Sequence, residues 1–393
     1  LNYVDKALIP PEPIHQIMMA SYWVPRDGNW SPDFPTTARQ VQSLYYSSTG
    51  YPTDVVIAFD QTFLIELLKV LGPTELASDI PVVTADNFET VMINIKTTAR
   101  ETMGNDQRKF FIGRLAPVVI NRITDIKDIS LLLQLVDLMR DQMRKGSLQL
   151  YFTHPDLQEF LDEQKLSGKI DVGRGDFLML VDSNIGFSKN DPLIERAIKY
   201  DVDLSVPITP RASVLFTHKN NGVGTEPCNE LHDGNHSDDY AFPRCYWDYW
   251  RLYLSPGTQL IDTNYKSNPL SYFKDEFRWD KGIENSVGEN GSTLLGGLSI
   301  VPQQEVKEVL VNISLPATIL RKDTEGNLHY LLRVQKQAGI DSISLQLTIK
   351  PPQGYTLTTA SVSNIAQSSL ISWQGYISQS GELEFVFKPD KAD

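Results

Sequence analysis

Asp54-Val-Val-Ile-Ala-Phe59 runs straight into a segment carrying Phe63, Leu64, Leu67, Leu68 and Leu71, which Gly72-Pro73 stops. The first piece reads as a short apolar strand of the kind buried in a parallel sheet. In the second, apolar residues recur at three and four positions, which lines one face of a helix. Gly-Pro ends that helix, because proline cannot continue one. Working outward, Thr84 with Asn87 and Glu89 opens another helix. Asn105 begins a third, carrying Phe110, Phe111, Leu115 and Val118, and a fourth spans about Ile126 to Arg144 before Gly146. Strands return at Leu148 to Phe152 and at Asp176-Phe-Leu-Met-Leu-Val-Asp182. Strand and helix in alternation predict an α/β layered domain over residues 1–204.

From residue 205 the apolar period changes to two. Val214 to Phe216, Tyr249 to Leu254, Val306 to Leu315, Leu328 to Val334, Ile343 to Ile349 and Leu383 to Phe387 read as strands. Ile343, Leu345, Leu347 and Ile349 alternate with Ser, Gln and Thr, so one face is buried and the other wet. Glu325-Gly-Asn327 marks a hairpin. The expected fold class is therefore α/β plus all-β, with an antiparallel β-sandwich over residues 205–393.

A chain of 393 residues with 41% hydrophobic and 10% aromatic residues builds a substantial core, which excludes a disordered protein. The formal charge of −13 argues against nucleic acid, since phosphate needs clustered Lys and Arg. It equally disfavours direct docking on anionic lipid. No apolar run approaches the roughly 20 residues that span a bilayer. The sequence begins at Leu1, and an upstream signal or membrane anchor is expected beyond it.

Two cysteines, Cys228 and Cys245, flank a loop rich in Gly, Asn, Asp and Pro. A disulfide between them would staple a loop that builds no core of its own, contributing about 3 kcal/mol. It would also place the chain in an oxidising compartment. Two unrelated thiols or half of a metal site are the alternatives.

Arg26-Asp-Gly-Asn-Trp-Ser-Pro-Asp-Phe-Pro35 concentrates charge and aromatics between Pro and Gly punctuation, just before a helical pattern. Such a loop is expected to be ordered. Its Arg26, Asp27, Asn29 and Asp33 offer a guanidinium, carboxylates and an amide, the groups that hold a pyrophosphate and a divalent cation such as Mg²⁺. The structural account pairs Arg26 with Asp33 to staple the loop and plugs the core with Trp30 and Phe34.

This run resembles the hallmark of the bacterial domain-of-unknown-function 4012 family. Thr53 to Asp60 with Leu67 to Pro73, Asp176 to Gly186 with Lys189 and Asp191, Tyr249 to Gly257, and Tyr330 to Gly339 are similar to its later blocks, in family order. The Glu-Leu-Arg and Gly-Gly-Phe strand usual upstream in that family is absent here, which leaves any ligand site incomplete. The resemblance implies a bacterial envelope protein on the outer side of the membrane. It also implies an α/β part similar in outline to LytR-CpsA-Psr proteins, which transfer glycopolymers from polyprenyl pyrophosphate carriers. Arg108 matches the resembled pattern better than Arg114, so it joins Arg26 as a phosphate ligand.

Within Asn229 to Asp239, Asp233, Asn235, Asp238 and Asp239 supply oxygen ligands of the kind Ca²⁺ accepts. A solvated loop pinned by the disulfide is the plain alternative. His232 and His236 have a Gly between them and lack the helical spacing of zinc sites. No Gly-X-Ser-X-Gly elbow, Gly-Lys phosphate loop or His-Glu-X-X-His helix occurs. The residues therefore name no reaction. Two expectations follow: a protein that binds or transfers lipid-linked glycopolymer pyrophosphates, or a structural surface component packed against protein neighbours.

Overall fold

Strand β1 (Val55–Phe59) enters no parallel sheet: it pairs antiparallel with β2 (Leu148–Phe152), and the two form a sheet by themselves. The computed structural model describes residues 9–76, 80–92, 94, 107–186, 188, 190–224, 228, 245–273 and 279–390, the side chains of 107–110 excepted. It divides into a unit of Asp54–Gly168 and a unit of Leu1–Thr53 with Lys169–Asp393.

In the first unit three of the expected helices accompany that small sheet, with a fourth at Pro155–Glu163 that the sequence reading did not give. After α1 (Glu12–Ile17) and α2 (Phe34–Thr49) of the other unit come α3 (Gln61–Leu71), α4 (Gln107–Thr124), α5 (Ile129–Lys145) and α6 (Pro155–Glu163). Asp60 caps α3 by accepting from Phe63 N at 2.9 Å, and Asp128 caps α5 through Ser130 N at 2.9 Å. Gly146 closes α5 at φ 77°, the left-handed conformation that glycine adopts without strain. Phe63, Leu67, Leu68, Phe111, Leu115 and Leu135 fill the core. Val55, Ile57 and Phe59 of β1 stay exposed, because a two-stranded sheet covers one face only.

The second unit holds two larger sheets. Seven strands run in the order β15 (Ala366–Gln367), β16 (Ile371–Ile377), β13 (Ile343–Lys350), β4 (Ile194–Asp203), β5 (Arg211–Asn220), β10 (Val306–Ser314) and β7 (Gln259–Thr263). The other sheet runs β14 (Tyr355–Ala360), β17 (Gly381–Pro389), β12 (Leu328–Val334), β3 (Asp176–Val181), β6 (Tyr246–Leu254), β9 (Thr293–Val301) and β8 (Glu284–Val287). A short β11 (Leu320–Lys322) folds back on β12 across the expected Glu325-Gly-Asn327 turn. The sheets are mixed, with β3–β12 and β4–β13 parallel and their other pairings antiparallel.

One apolar cluster draws on both sheets. Leu178, Trp250, Leu252 and Phe385 meet Tyr200, Phe216, Val311 and Leu345. Each such side chain contributes about 1.5–3 kcal/mol by leaving water. The period-two reading of β13 holds, with Ile343, Leu345, Leu347 and Ile349 all buried.

The boundary expected at residue 204 is not where the chain divides. Strand β3, which lies between β12 and β6 in its sheet, is buried at every position: Leu178 and Leu180 join the shared core, and Phe177, Met179 and Val181 pack with Ile170 and Tyr253. The expected 1–204 domain thus loses both its first 53 residues and its last strands to the β unit. All nine residues of β6 are buried as well. Trp250, Leu252 and Leu254 face the shared core. Trp247 and Tyr249 pack on the other side with Ile17, Trp30, Phe273 and Trp279. The N-terminal segment is the cover for that outer face.

Candidate functional site

The loop 26–35 is ordered, though its charges pair differently from expectation. Asp33 is buried and caps α2: Thr36 N donates to its Oδ2 at 3.1 Å and Thr36 Oγ1 at 2.6 Å. Ile170 N donates to its Oδ1 at 2.8 Å. Both carboxylate oxygens are thus held by protein donors, which leaves Asp33 poorly suited to a cation. Arg26 does not pair with Asp33. Its Nε lies 3.3 Å from Asp27 Oδ2, and its side chain is 85% exposed. Asn29 is exposed, Trp30 is half-buried and Phe34 is buried. Arg108 lies on α4, and its side chain is outside the described residues. Asp233, Asn235, Asp238 and Asp239 also lie outside the described residues. Cys228 and Cys245 form the expected disulfide, with Cα atoms 5.3 Å apart.

Trp30 opens onto a cavity of about 690 Å³ lined also by Tyr249, Arg251, Tyr253, Glu284 and Glu289. Its indole lies 5.5 Å from the Tyr249 ring, and the Arg251 guanidinium stacks 4.1 Å from its centroid. Arg251 Nη2 donates to Trp30 O at 2.8 Å and to Ser183 Oγ at 3.0 Å. Tyr249 donates its hydroxyl to Glu284, and Ser31 donates to Glu289. Burial, then the Glu284 carboxylate, push the Tyr249 hydroxyl far above its ordinary range, so it stays a donor. Asn290 holds a left-handed backbone at φ 53° and donates to Ile170 O at 2.7 Å. That fixes the Glu289 turn against the Asp33 loop.

Behind Ser183 lies a buried polar cluster that the sequence reading did not find. Asp182 follows β3, His218 sits on β5 and Asp248 on β6, and one ligand atom of each lies within 4.8 Å of the others. His218 Nε2 is 3.0 Å from Asp182 Oδ1 and 3.6 Å from Asp248 Oδ2. Arg196 of β4 pairs with Asp182 and donates to Tyr246 OH at 3.0 Å. Ser183 N donates to Asp248 Oδ1 at 3.0 Å. Among the described residues, Asp248 Oδ2 and His218 Nδ1 have no hydrogen-bond partner. Such orphans are rare in folded proteins and call for an explanation.

The two carboxylates diverge electrostatically. Burial alone would push Asp182 up, yet His218 and Arg196 beside it outweigh burial and hold it well below the usual range. Burial and then the Asp182 charge push Asp248 far above it. The pair therefore favours one negative charge and one group that wants a proton or a cation.

The three residues stand 36 and 30 positions apart, on strands of two sheets, so no local spacing reveals them. A weaker signal existed. His218 falls on the buried phase of β5 after Ala212, Val214 and Phe216, and Asp248 interrupts the aromatic run Tyr246-Trp-Asp-Tyr-Trp250.

No curated protein matches this chain. A solved structure from Legionella pneumophila, described as a candidate nutrient binding protein, is similar at 11% identity, covering 55% of this chain and 71% of that one, with a TM-score of 0.33. The model of the DUF4012 family, "Protein of unknown function (DUF4012)", matches residues 2–95, which include the Arg26–Pro35 and Thr53–Pro73 blocks, and so supports the resemblance to that family over this part of the chain.

Proposed function

We propose that this protein is an extracytoplasmic envelope protein that binds the saccharide part of a lipid-linked envelope polymer, with the two sheets as a β-sandwich scaffold. The observation that carries the reading is the cavity at Trp30. It combines aromatic faces (Trp30 and Tyr249) with carboxylates (Glu284 and Glu289) and a stacked guanidinium, Arg251. Sugars offer apolar C–H faces to aromatic rings and hydroxyls to carboxylates, and that mixture of groups meets both. A pyrophosphate, by contrast, would meet carboxylates there, so the exposed Arg26 is the better contact for a carrier phosphate.

Two further features support the reading. The disulfide belongs to oxidising compartments. On α5 of the helical unit, Ile129, Leu132, Leu133, Val136 and Met139 form an exposed apolar stripe at helical spacing, a surface that an isoprenoid tail would favour. Among the described residues no helix is long and apolar enough to cross a membrane. An outline likeness of the expected α/β part, residues 1–204, to LytR-CpsA-Psr proteins belongs to this proposal as well.

Titration calorimetry with purified envelope polysaccharides tests it. Wild type is expected to bind, and Glu289→Gln or Trp30→Ala to weaken binding at least about tenfold, the loss of one good polar or stacking contact. Arg26→Ala is expected to weaken only phosphorylated carriers. Folded wild type that binds no envelope saccharide contradicts the proposal.

A further inference from the structure

We infer that Asp182, His218 and Asp248 hold a divalent transition-metal ion of the Zn²⁺ class, which fastens the two sheets to each other behind the Trp30 cavity. The ligand set comes first. One imidazole and two carboxylates suit Zn²⁺ or Mn²⁺ better than Ca²⁺, which takes oxygen ligands in larger number. Asp182 Oδ1, His218 Nε2 and Asp248 Oδ2 converge from β3, β5 and β6, with separations of 3.0 and 3.6 Å about the imidazole nitrogen. In a tetrahedral zinc site with bonds of about 2.0–2.1 Å, ligand atoms lie about 3.3 Å apart. An ion therefore enters with small side-chain shifts.

A second observation points into the same spot. Asp248 is fully buried, and its Oδ2 has no donor among the described residues. A carboxylate oxygen stranded there is expensive unless a cation or a proton reaches it. Charge counts the same way. Two carboxylates converge here beside one guanidinium, Arg196, which pairs with Asp182, so a cation at this spot would serve Asp248.

The surroundings already hold the ligands. Asp182 takes Arg196 on its other oxygen, and Ser183 N holds Asp248 Oδ1. The imidazole packs near the rings of Phe216 and Tyr246, with centroids 5.8 and 6.2 Å away. All three ligands are buried, which shields the ion from bulk solvent, and three protein ligands leave its fourth position to a water. The site also bears on the cavity: Ser183, which donates to Asp248, accepts from the Arg251 that stacks on Trp30.

The test uses the whole chain, stripped with chelator and titrated with Zn²⁺ alone, with bound metal counted by mass spectrometry. One tightly bound equivalent is expected, with a rise of roughly 5 °C in Tm at saturating zinc. Asp248→Asn keeps the acceptor for Ser183 N and is expected to lose both the equivalent and the Tm shift. A loop variant, Asp233→Asn with Asp239→Asn, is expected to keep both. Should Asp248→Asn fail to fold, Co²⁺ in the wild type decides, with intense visible bands expected from a four-coordinate nitrogen–oxygen site. Folded wild type that binds no zinc at micromolar concentration, zinc that survives Asp248→Asn, or octahedral Co²⁺ spectra would each overturn the inference.

Discussion

Strand β3 carries one buried aspartate as its first residue and another just after its last, and the two ends are built on opposite plans. At Asp176 every partner is a neutral donor. Tyr200 OH donates at 2.6 Å, Tyr330 OH and Ser255 Oγ at 2.8 Å, and Phe177 N at 2.9 Å. Burial pushes Asp176 up, while four hydrogen bonds oppose that push. At Asp182 the partners are charged or titratable, and neighbouring Asp248 is left with an oxygen unmatched. A saturated buried carboxylate locks a core. An unsaturated one is a place where something else binds.

The largest predicted effect tests the locked end. Asp176→Ala takes the acceptor from three buried hydroxyls, while Phe177 N keeps Ser255 Oγ, and is expected to cost about 4 kcal/mol in urea denaturation. A loss below about 1 kcal/mol would dissolve the contrast. The disulfide comes next. Cys245 lies one residue before β6, the strand that brings Asp248 into place. Cys228→Ser with Cys245→Ser is expected to lower stability by about 3 kcal/mol, measured under the same conditions.

Asp248→Asn sharpens the comparison from the other end. In the presence of chelator it is expected to change stability by less than about 1 kcal/mol, since a neutral amide replaces a stranded oxygen and the Ser183 contact survives. A loss as large as that of Asp176→Ala would show the two ends to be equivalent.

The smallest effect is a pH dependence near the locked end. His329 of β12 lies 3.0 Å from both Asp323 and Glu384. Its hydrogen bond to Asp323, then that to Glu384, raise its pKa above the usual 6.5. A raised folded-state value means that its stabilisation is fully present below pH about 6.5 and fades as pH rises through the folded-state pKa. Tm is therefore expected to fall slightly on going from pH 6 to pH 8, by less in His329→Gln. A fall of equal size in His329→Gln would assign the effect elsewhere.

Alternation made the later strands legible, since Ile343 to Ile349 and Leu328 to Val334 need only a local period of two. The helices were legible from their apolar faces, whereas the caps Asp60 and Asp128 were not read from the sequence. Pairing was not, because it is a property of distant segments. An apolar run such as Val55–Phe59 suits a buried parallel strand as well as one strand of a small hairpin-like sheet. Strand β4 also escaped notice: Ile194, Ile198, Tyr200 and Val202 keep the inward phase, but Arg196 breaks it. That Arg is inward because Asp182 is there to receive it. Trp30, read from the quoted loop as a core plug, is half-buried and lines the candidate cavity, while Asp33 turned out to be a helix cap.

The central claim is that the Asp182 end of β3 is built around a ligand whereas the Asp176 end is built around itself. Diffraction at the zinc absorption edge, from crystals soaked in Zn²⁺, tests it most directly. The account predicts one anomalous peak about 2.0–2.2 Å from Asp182 Oδ1, His218 Nε2 and Asp248 Oδ2, and none at Asp176. Well-ordered side chains at both ends with no peak between Asp182, His218 and Asp248 would contradict it.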